Sequence, residues 1–284
     1  MKHIALIGFG EVGRTLAGDF AGKATLSAWD IALTPNAPGV RAAASATDAV
    51  QGADLIISAV TADQDLAAAR SVGPLSGAFF LDLNSCSPGQ KIASADAIHA
   101  VGGRYVEAAV MSPIGPKRIA SPMLLGGLHA RDFLLAAEGL GFTGATAYSE
   151  IVGQAAATKL CRSVMIKGIE ALLTESMLAA RHYGVERVVL DSLSDLLPLP
   201  DWPKTAQYMI SRSLEHGARR AEEMREAANT VLEAGFQPIM TTAIADKQQW
   251  VADHAREGLF ASLAKDANWK EFADALLAGG RKAP

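Results

Sequence analysis

His3-Ile4-Ala5-Leu6-Ile7-Gly8-Phe9-Gly10-Glu11-Val12-Gly13-Arg14 runs from a short apolar stretch straight into three glycines spaced G-x-G-x-x-G. The apolar part predicts a buried strand, and the segment after Gly10 predicts a helix, so the glycines sit in a strand–turn–helix corner. Such a corner has a physical use. The first glycine allows the tight turn, the second lets another molecule approach the backbone, and the third lets helix and strand pack closely. The free N–H groups at the helix start then attract a pyrophosphate. Gly8, Phe9, Gly10, Glu11, Val12 and Gly13 are therefore candidate cofactor contacts. Asp30 follows 22 residues after Gly8, at the end of the next apolar run. A carboxylate there accepts hydrogen bonds from ribose hydroxyls and repels a 2′-phosphate. Ile31, Ala32 and Leu33 bring no cation to hold such a phosphate, so the expected cofactor is NAD, with NADP the alternative.

Working outward, apolar runs at 3–8, 24–30, 53–60, 78–84 and 105–111 predict strands covered on both faces. Stretches at 12–21, 46–50, 64–70 and 91–100 predict helices between them, and 123–126 and 144–148 further edge strands. Alternation of this kind predicts an α/β, Rossmann-type doubly wound parallel sheet over 1–150. Val60, Thr61 and Ser85, near the ends of its middle strands, are further candidate cofactor contacts. No proline interrupts 123–197, and 150–183 predicts one long helix stopped by Gly184. Cys161, Met165, Ile169 and Leu172 recur along it at steps of four, four and three, which predicts a buried side with Cys161 in the core. A break at Pro198-Leu199-Pro200-Asp201-Trp202-Pro203 precedes helical stretches at 204–214, 218–234, 238–255 and 269–278. The expected organisation is a dinucleotide-binding domain (1–150), an interdomain helix (151–183) and an all-helical substrate or dimerisation domain (184–284).

Composition sets outer bounds. In 284 residues, 26 Lys+Arg face 30 Asp+Glu, a net charge of −4, so no basic field favours nucleic acid. Two cysteines are too few for a disulfide scaffold or a thiolate zinc site, and no metal is expected. No apolar run reaches membrane-spanning length, and no leader is read at the N-terminus. The expectation is a soluble cytoplasmic protein acting on a small polar or anionic molecule.

Three further segments carry a family resemblance. Leu81-Asp82-Leu83-Asn84-Ser85-Cys86-Ser87-Pro88 is similar to a D-x-S-T-x-S-P stretch after the fourth main strand. Val106-Glu107-Ala108-Ala109-Val110-Met111-Ser112 is similar to a D-A-P-V-S-G-G substrate loop. Gly153-Gln154-Ala155-Ala156-Ala157-Thr158-Lys159 is similar to a G-x-x-G-x-G-x-x-x-K helix segment. In this order, after the glycine turn, they resemble the β-hydroxyacid dehydrogenases, which include 3-hydroxyisobutyrate and 6-phosphogluconate dehydrogenases. The resemblance covers residues 1 to 180 and extends in outline to a subgroup with a helical C-terminal domain. It implies hydride transfer between a nicotinamide cofactor and a β-hydroxy acid, with Lys159 as general acid/base. The position near the positive end of a helix favours an uncharged amine there independently. Ser112, Ser163 and Asn84 are the implied substrate contacts, joined by His216 and Arg219 of the cluster His216-Gly217-Ala218-Arg219-Arg220-Ala221-Glu222-Glu223. A homodimer is expected as well.

The departures narrow the chemistry. Ser163 stands where the family has Asn, four residues past the lysine. Met111-Ser112-Pro113 replaces S-G-G. Arg162 and Ile166 replace the His and carboxylate of the phosphogluconate branch, which speaks against decarboxylation. Two other readings stay open: an imine reductase, although such enzymes generally lack the lysine, and a dinucleotide-binding sensor without turnover.

Overall fold

A computed structural model describes residues 1–196, 201–264 and 267–279. The expected proline break at 198–203 therefore lies partly outside the described residues. The chain divides into two compact units, Met1–Cys161 and Arg162–Pro284.

The first unit is built on eight strands: β1 (His3–Ile7), β2 (Thr25–Trp29), β3 (Val40–Ala42), β4 (Leu55–Ser58), β5 (Phe79–Asp82), β6 (Arg104–Val110), β7 (Met123–Gly126) and β8 (Ala145–Ser149). Their order is β3-β2-β1-β4-β5-β6-β7-β8. All neighbours are parallel except β6 and β7, which pair antiparallel with Glu107 opposite Gly126. Between the strands run α1 (Glu11–Phe20), α2 (Ala46–Val50), α3 (Asp65–Ser71), α4 (Pro88–Ala100), α5 (Ile114–Lys117) and α6 (Ala130–Ala136). Successive β1 side chains point to opposite faces. Ile4 and Leu6 join one core with Leu16, Phe20, Leu81 and Phe133. Ala5 and Ile7 join the other with Ile56, Phe80, Ile98 and Tyr105. This two-sided burial is why the strands read as unbroken apolar runs. The helices start on local signals: Ser45 caps α2 by accepting from the Asp48 N–H, and Ser87 followed by Pro88 starts α4.

Helix α7 (Gln154–Tyr183) is followed by α8 (Glu186–Leu196), α9 (Trp202–Glu233), α10 (Ile239–Arg256) and α11 (Trp269–Gly279). Gly184, at φ 70°, ends α7. Leu173, Met177, Trp202, Ile210, Val251 and Ala273 form the apolar core of the second unit.

One expectation needs correction. The stripe Cys161, Met165, Ile169, Leu172 is not the buried side of α7: Cys161 is exposed, Met165 is 65% exposed and Leu172 60%. Ile169 alone of the four is partly buried against the core, and the buried side carries Leu173 and Met177 beside Lys167, Glu170 and Thr174, the charges being paired with α9. The stretches expected at 204–214 and 218–234 form the two arms of α9, which meet at a kink at His216, where φ is −130° and ψ 15°.

Candidate active site

The glycine corner forms as its spacing requires. Gly8 has φ 92°, a conformation costly for any other residue, and a Cβ there would lie 2.3 Å from the Ala59 carbonyl oxygen. A Cβ on Gly13 would lie 2.3 Å from the Gly8 carbonyl oxygen, so strand and helix meet there without room for a side chain. Gly10 differs: nothing lies within 4 Å of its virtual Cβ. Gly10 also caps α1 with no side-chain acceptor, which leaves the first-turn N–H groups, from Glu11 and Val12 onward, to an outside acceptor.

Asp30 is tied to the same corner. Its Oδ2 accepts from the Phe9 N–H at 2.7 Å, and its Oδ1 accepts from the Ala32 and Leu33 N–H groups at 2.9 Å each. Burial acts to raise its pKa. The Phe9, Ala32 and Leu33 hydrogen bonds and the Arg14 charge outweigh that, and hold the carboxyl below its ordinary range. The result is a fixed, ionised carboxylate at the end of β2.

Val60 and Thr61 follow β4. The Val60 N–H donates to Asn84 Oδ1 at 2.7 Å, and Asn84 Nδ2 donates to Ser58 Oγ at 2.9 Å and Asp65 Oδ1 at 2.7 Å. Thr61 is exposed, and its hydroxyl donates to Asp63. Asn84, 4% exposed, thus has its oxygen and both amide hydrogens engaged within the protein, and it ties the end of β4 to the end of β5. A buried charged group stands behind it. Lys91 Nζ meets Asp82 Oδ1 at 2.6 Å, the Tyr105 hydroxyl donates to Asp82 Oδ2 at 2.6 Å, and Ser94 Oγ donates to Asp65 Oδ2 at 2.7 Å. Burial, opposed by Lys91 and reinforced by Asp65, pushes Asp82 up to about 7. Sequence reading did not identify Asp65 or Lys91 as part of this network, although a charged residue within an apolar stretch is the signal for one.

Lys159 is half-buried on the second turn of α7, and its Nζ donates to Ser85 Oγ at 2.5 Å. Two of the expected residues, on separate elements, are thus brought together. The helix that carries the lysine is anchored by Glu107 of β6, fully buried, whose two oxygens accept from the Gly153 N–H at 2.6 Å and the Ala156 N–H at 2.5 Å. Burial raises the Glu107 pKa against the opposing charge of Lys91 and these two bonds. Gly126, directly across the β6–β7 pair, is required there, because a Cβ would sit 2.6 Å from Glu107 Oε2. A glutamate and a glycine at facing positions of two apolar strands were the readable signal. Ser112 lies just beyond β6, where its hydroxyl makes a 3.3 Å contact with its neighbour's carbonyl.

In the second unit, Ser163 Oγ accepts from Lys167 Nζ at 3.2 Å. Lys167 also pairs with Glu223 at 2.6 Å, and buried Glu170 pairs with Arg220 at 2.5 Å. Arg220, not the neighbouring Arg219, is the inward arginine: its side chain is 9% exposed against 56% for Arg219. Burial raises Glu170 to about 7 against the charges of Arg220, Lys167 and Arg212. His216 stands at the kink beside Arg212.

Residues 180–251 match a family model described as a domain of unknown function, DUF1932. A conserved hypothetical protein from Sinorhizobium meliloti is similar over nearly the whole chain. The two are 34% identical, cover 98% of this chain and 96% of that one, and superpose with a TM-score of 0.76. A conserved protein of unknown function, described as structurally similar to 3-hydroxyacid dehydrogenases, is 28% identical. It covers 90% of this chain and 99% of its own, with a TM-score of 0.70. An uncharacterized 28.5 kDa protein from the 7S RNA 5′ region of Methanothermus fervidus is 28% identical over 84% of this chain and 94% of its own. At 18% identity, a Mycobacterium tuberculosis 3-hydroxyisobutyrate dehydrogenase shares the fold, with a TM-score of 0.68 over 90% of this chain and 95% of its own. With the glycine corner, the Ser85–Lys159 pair and the helical second unit in place, the chain belongs to the β-hydroxyacid dehydrogenase-like family of NAD(P)-binding proteins.

Proposed function

We propose that the protein is a nicotinamide-dependent dehydrogenase or reductase, preferring NAD(H), that interconverts a β-hydroxy acid or related polar alcohol with its carbonyl compound. The observation that carries this reading is the hydrogen bond from Lys159 to Ser85. It holds a half-buried amine in one place at the end of the cofactor-binding sheet, as a proton-transfer group needs. The corner suits a dinucleotide: Gly10 leaves the backbone open to a pyrophosphate, and Asp30 offers an ionised carboxylate to ribose hydroxyls. When bound, the nicotinamide supplies the hydride acceptor and donor. In the oxidative direction Lys159, as the amine, takes the proton of the substrate hydroxyl. In the reductive direction, as the ammonium, it returns a proton to the carbonyl oxygen. Ser85 keeps Nζ aimed, Asn84 fixes the backbone on which Ser85 sits, and the role assigned to the Ser112 hydroxyl is to orient a polar substrate group.

The test is titration of the protein with NAD(H) and NADP(H), followed by turnover of a panel of β-hydroxy acids. Preferential NAD(H) binding with turnover of at least one β-hydroxy acid is expected; binding of neither cofactor would overturn the proposal. The glycines allow a finer check. Gly10→Ala meets open space, so its melting temperature should stay within about 2 °C of wild type while NADH affinity falls. Gly8→Ala meets both a forbidden φ and the Ala59 carbonyl, and should lose several kcal/mol of stability, on the order of 3.

The exposed apolar residues Met165, Ile166 and Leu172 on one stretch of α7 support a homodimer. Light scattering at micromolar concentration should give twice the chain mass, and a monomer would remove that part of the proposal.

A further inference from the structure

The kink in α9 has a steric origin. Gly217, the residue after His216, faces α10, where a Cβ would lie 2.7 Å from the Gln248 carbonyl oxygen. No proline is present there, so the two helices close on one another at a point only glycine allows. Arg220 spans the kink: its Nε donates to the Arg212 carbonyl at 3.1 Å, and its Nη1 meets Glu170.

The charges around the kink do not all pair equally well. Lys167 has Glu223 and Arg220 has Glu170, at 2.6 and 2.5 Å. Arg219 lies 3.9 Å from Glu223. Arg212 has no such close partner among the described residues. Its nearest carboxylate oxygen, on Glu215, is 3.8 Å away, beyond hydrogen-bond range. Its Nη1 instead donates to His216 Nε2 at 2.7 Å, and its buried Nε has no partner among the described residues. His216 Nε2 is 3.7 Å from the same Glu215 oxygen. A guanidinium and an imidazole thus converge, with side chains 22% and 34% exposed, and an internal carboxylate hovers out of reach of both.

We propose that Arg212 and His216 form a binding site in the helical unit for a small carboxylate, which takes the place at which Glu215 stands. Arg212 supplies the charge-assisted donor, and His216 supplies a second donor once Nε2 carries a proton. A carboxylate is the matching anion, because the neighbouring glutamate shows that one fits against the pair. Without ligand, burial and the charges of Arg212, Arg219 and Arg220, opposed by Glu215, hold His216 below its ordinary pKa. An anion between the two side chains reverses that field, so binding takes up a proton and tightens as pH falls. The site belongs to the helical unit and goes beyond the proposed reaction.

Malonate is the probe, titrated into the full-length protein without cofactor while the imidazole signals of the six histidines are followed by NMR, with His216 assigned by its absence in His216→Gln. Malonate should shift the His216 signal and raise its titration midpoint by about one pH unit. Arg212→Gln should bind malonate at least tenfold more weakly while NADH affinity stays as in wild type. Should that variant fail to fold, exposed Glu215→Gln provides the reverse test: removing the competing carboxylate should tighten malonate binding severalfold. An unmoved His216 signal, equal shifts of all six histidines, tighter binding of inorganic phosphate than of malonate, or unaltered or weaker malonate binding in Glu215→Gln would each overturn the proposal. None of these results bears on NADH binding or turnover, which test the dehydrogenase reading separately.

Discussion

Lys159→Ala should lower kcat by 10²–10⁴ (order of magnitude) while NADH affinity changes by less than about threefold. The amine is the proposed proton carrier, and the hydrogen bonds that hold Asp30 at the glycine corner run to Phe9, Ala32 and Leu33, while Lys159 donates to Ser85. The loss should therefore fall on the chemical step. Steady-state turnover of the best β-hydroxy acid, with NADH fluorescence titration in parallel, separates the two quantities. Ser85→Ala tests the aim of the amine and should cost about tenfold in kcat, since the amine survives but is no longer held. A Lys159→Ala protein that turns over like wild type would leave a dinucleotide-binding protein with no proton carrier identified. Loss of NADH binding in the same variant would mean that the lysine supports the cofactor site instead.

Arg220→Met should cost about 3–5 kcal/mol of stability at pH 8. Arg220 neutralises Glu170, which is 1% exposed, and its second arm satisfies a carbonyl at the kink. Its removal leaves a buried carboxylate without its ion pair. The pH dependence has a defined sign. Burial pushes Glu170 up to about 7 in the folded protein, and without Arg220 it moves higher still. The variant's Glu170 then takes up its proton at higher pH than in wild type, so the variant gains stability relative to wild type as pH falls from 8 to about 6, and below that both carry the proton and the difference levels off. Thermal unfolding at the two pH values measures this. Arg220→Met combined with Glu170→Met should recover much of the loss, because an apolar pair of similar volume leaves no charge stranded. Equal damage by the single and double variants, with no pH dependence, would show that the kink contact and not the ion pair is what matters.

Much of the first unit was legible because its strands lie under helices on both faces, and such strands carry unbroken apolar runs; β7 was read at Met123–Gly126, where it lies. Strand β3 was missed because Val40-Arg41-Ala42 is short, half-exposed or exposed, and at the sheet edge, so nothing apolar marks it. Helix α8 was missed beside the proline break. The glycine corner and Asp30 were readable because their types and spacing are fixed by local geometry, and Lys159 was read through the family resemblance of the segment that carries it. Glu107, Asp65 and Lys91 were harder to read, since their partners lie 49, 29 and 9 residues away in sequence and only the folded sheet brings them close. The apolar stripe on α7 went wrong for a related reason. Periodicity tells which residues share a side, and not which side turns inward; here Lys167 and Glu170 are inward because α9 carries their counter-charges.

The Glu107 anchor sets where tolerance to change should be found in this chain. Ala156 is held to the sheet and Lys159 follows it by less than one turn, so the lysine takes its register from β6. The remaining two dozen residues of a helix about 45 Å long extend from that fixed point. Remodelling everything after the first turns of α7 would therefore leave Lys159 in its place, whereas a change at Glu107 or Gly126 would shift it. The stretch whose position the sheet dictates thus ends inside a helix and not at a loop.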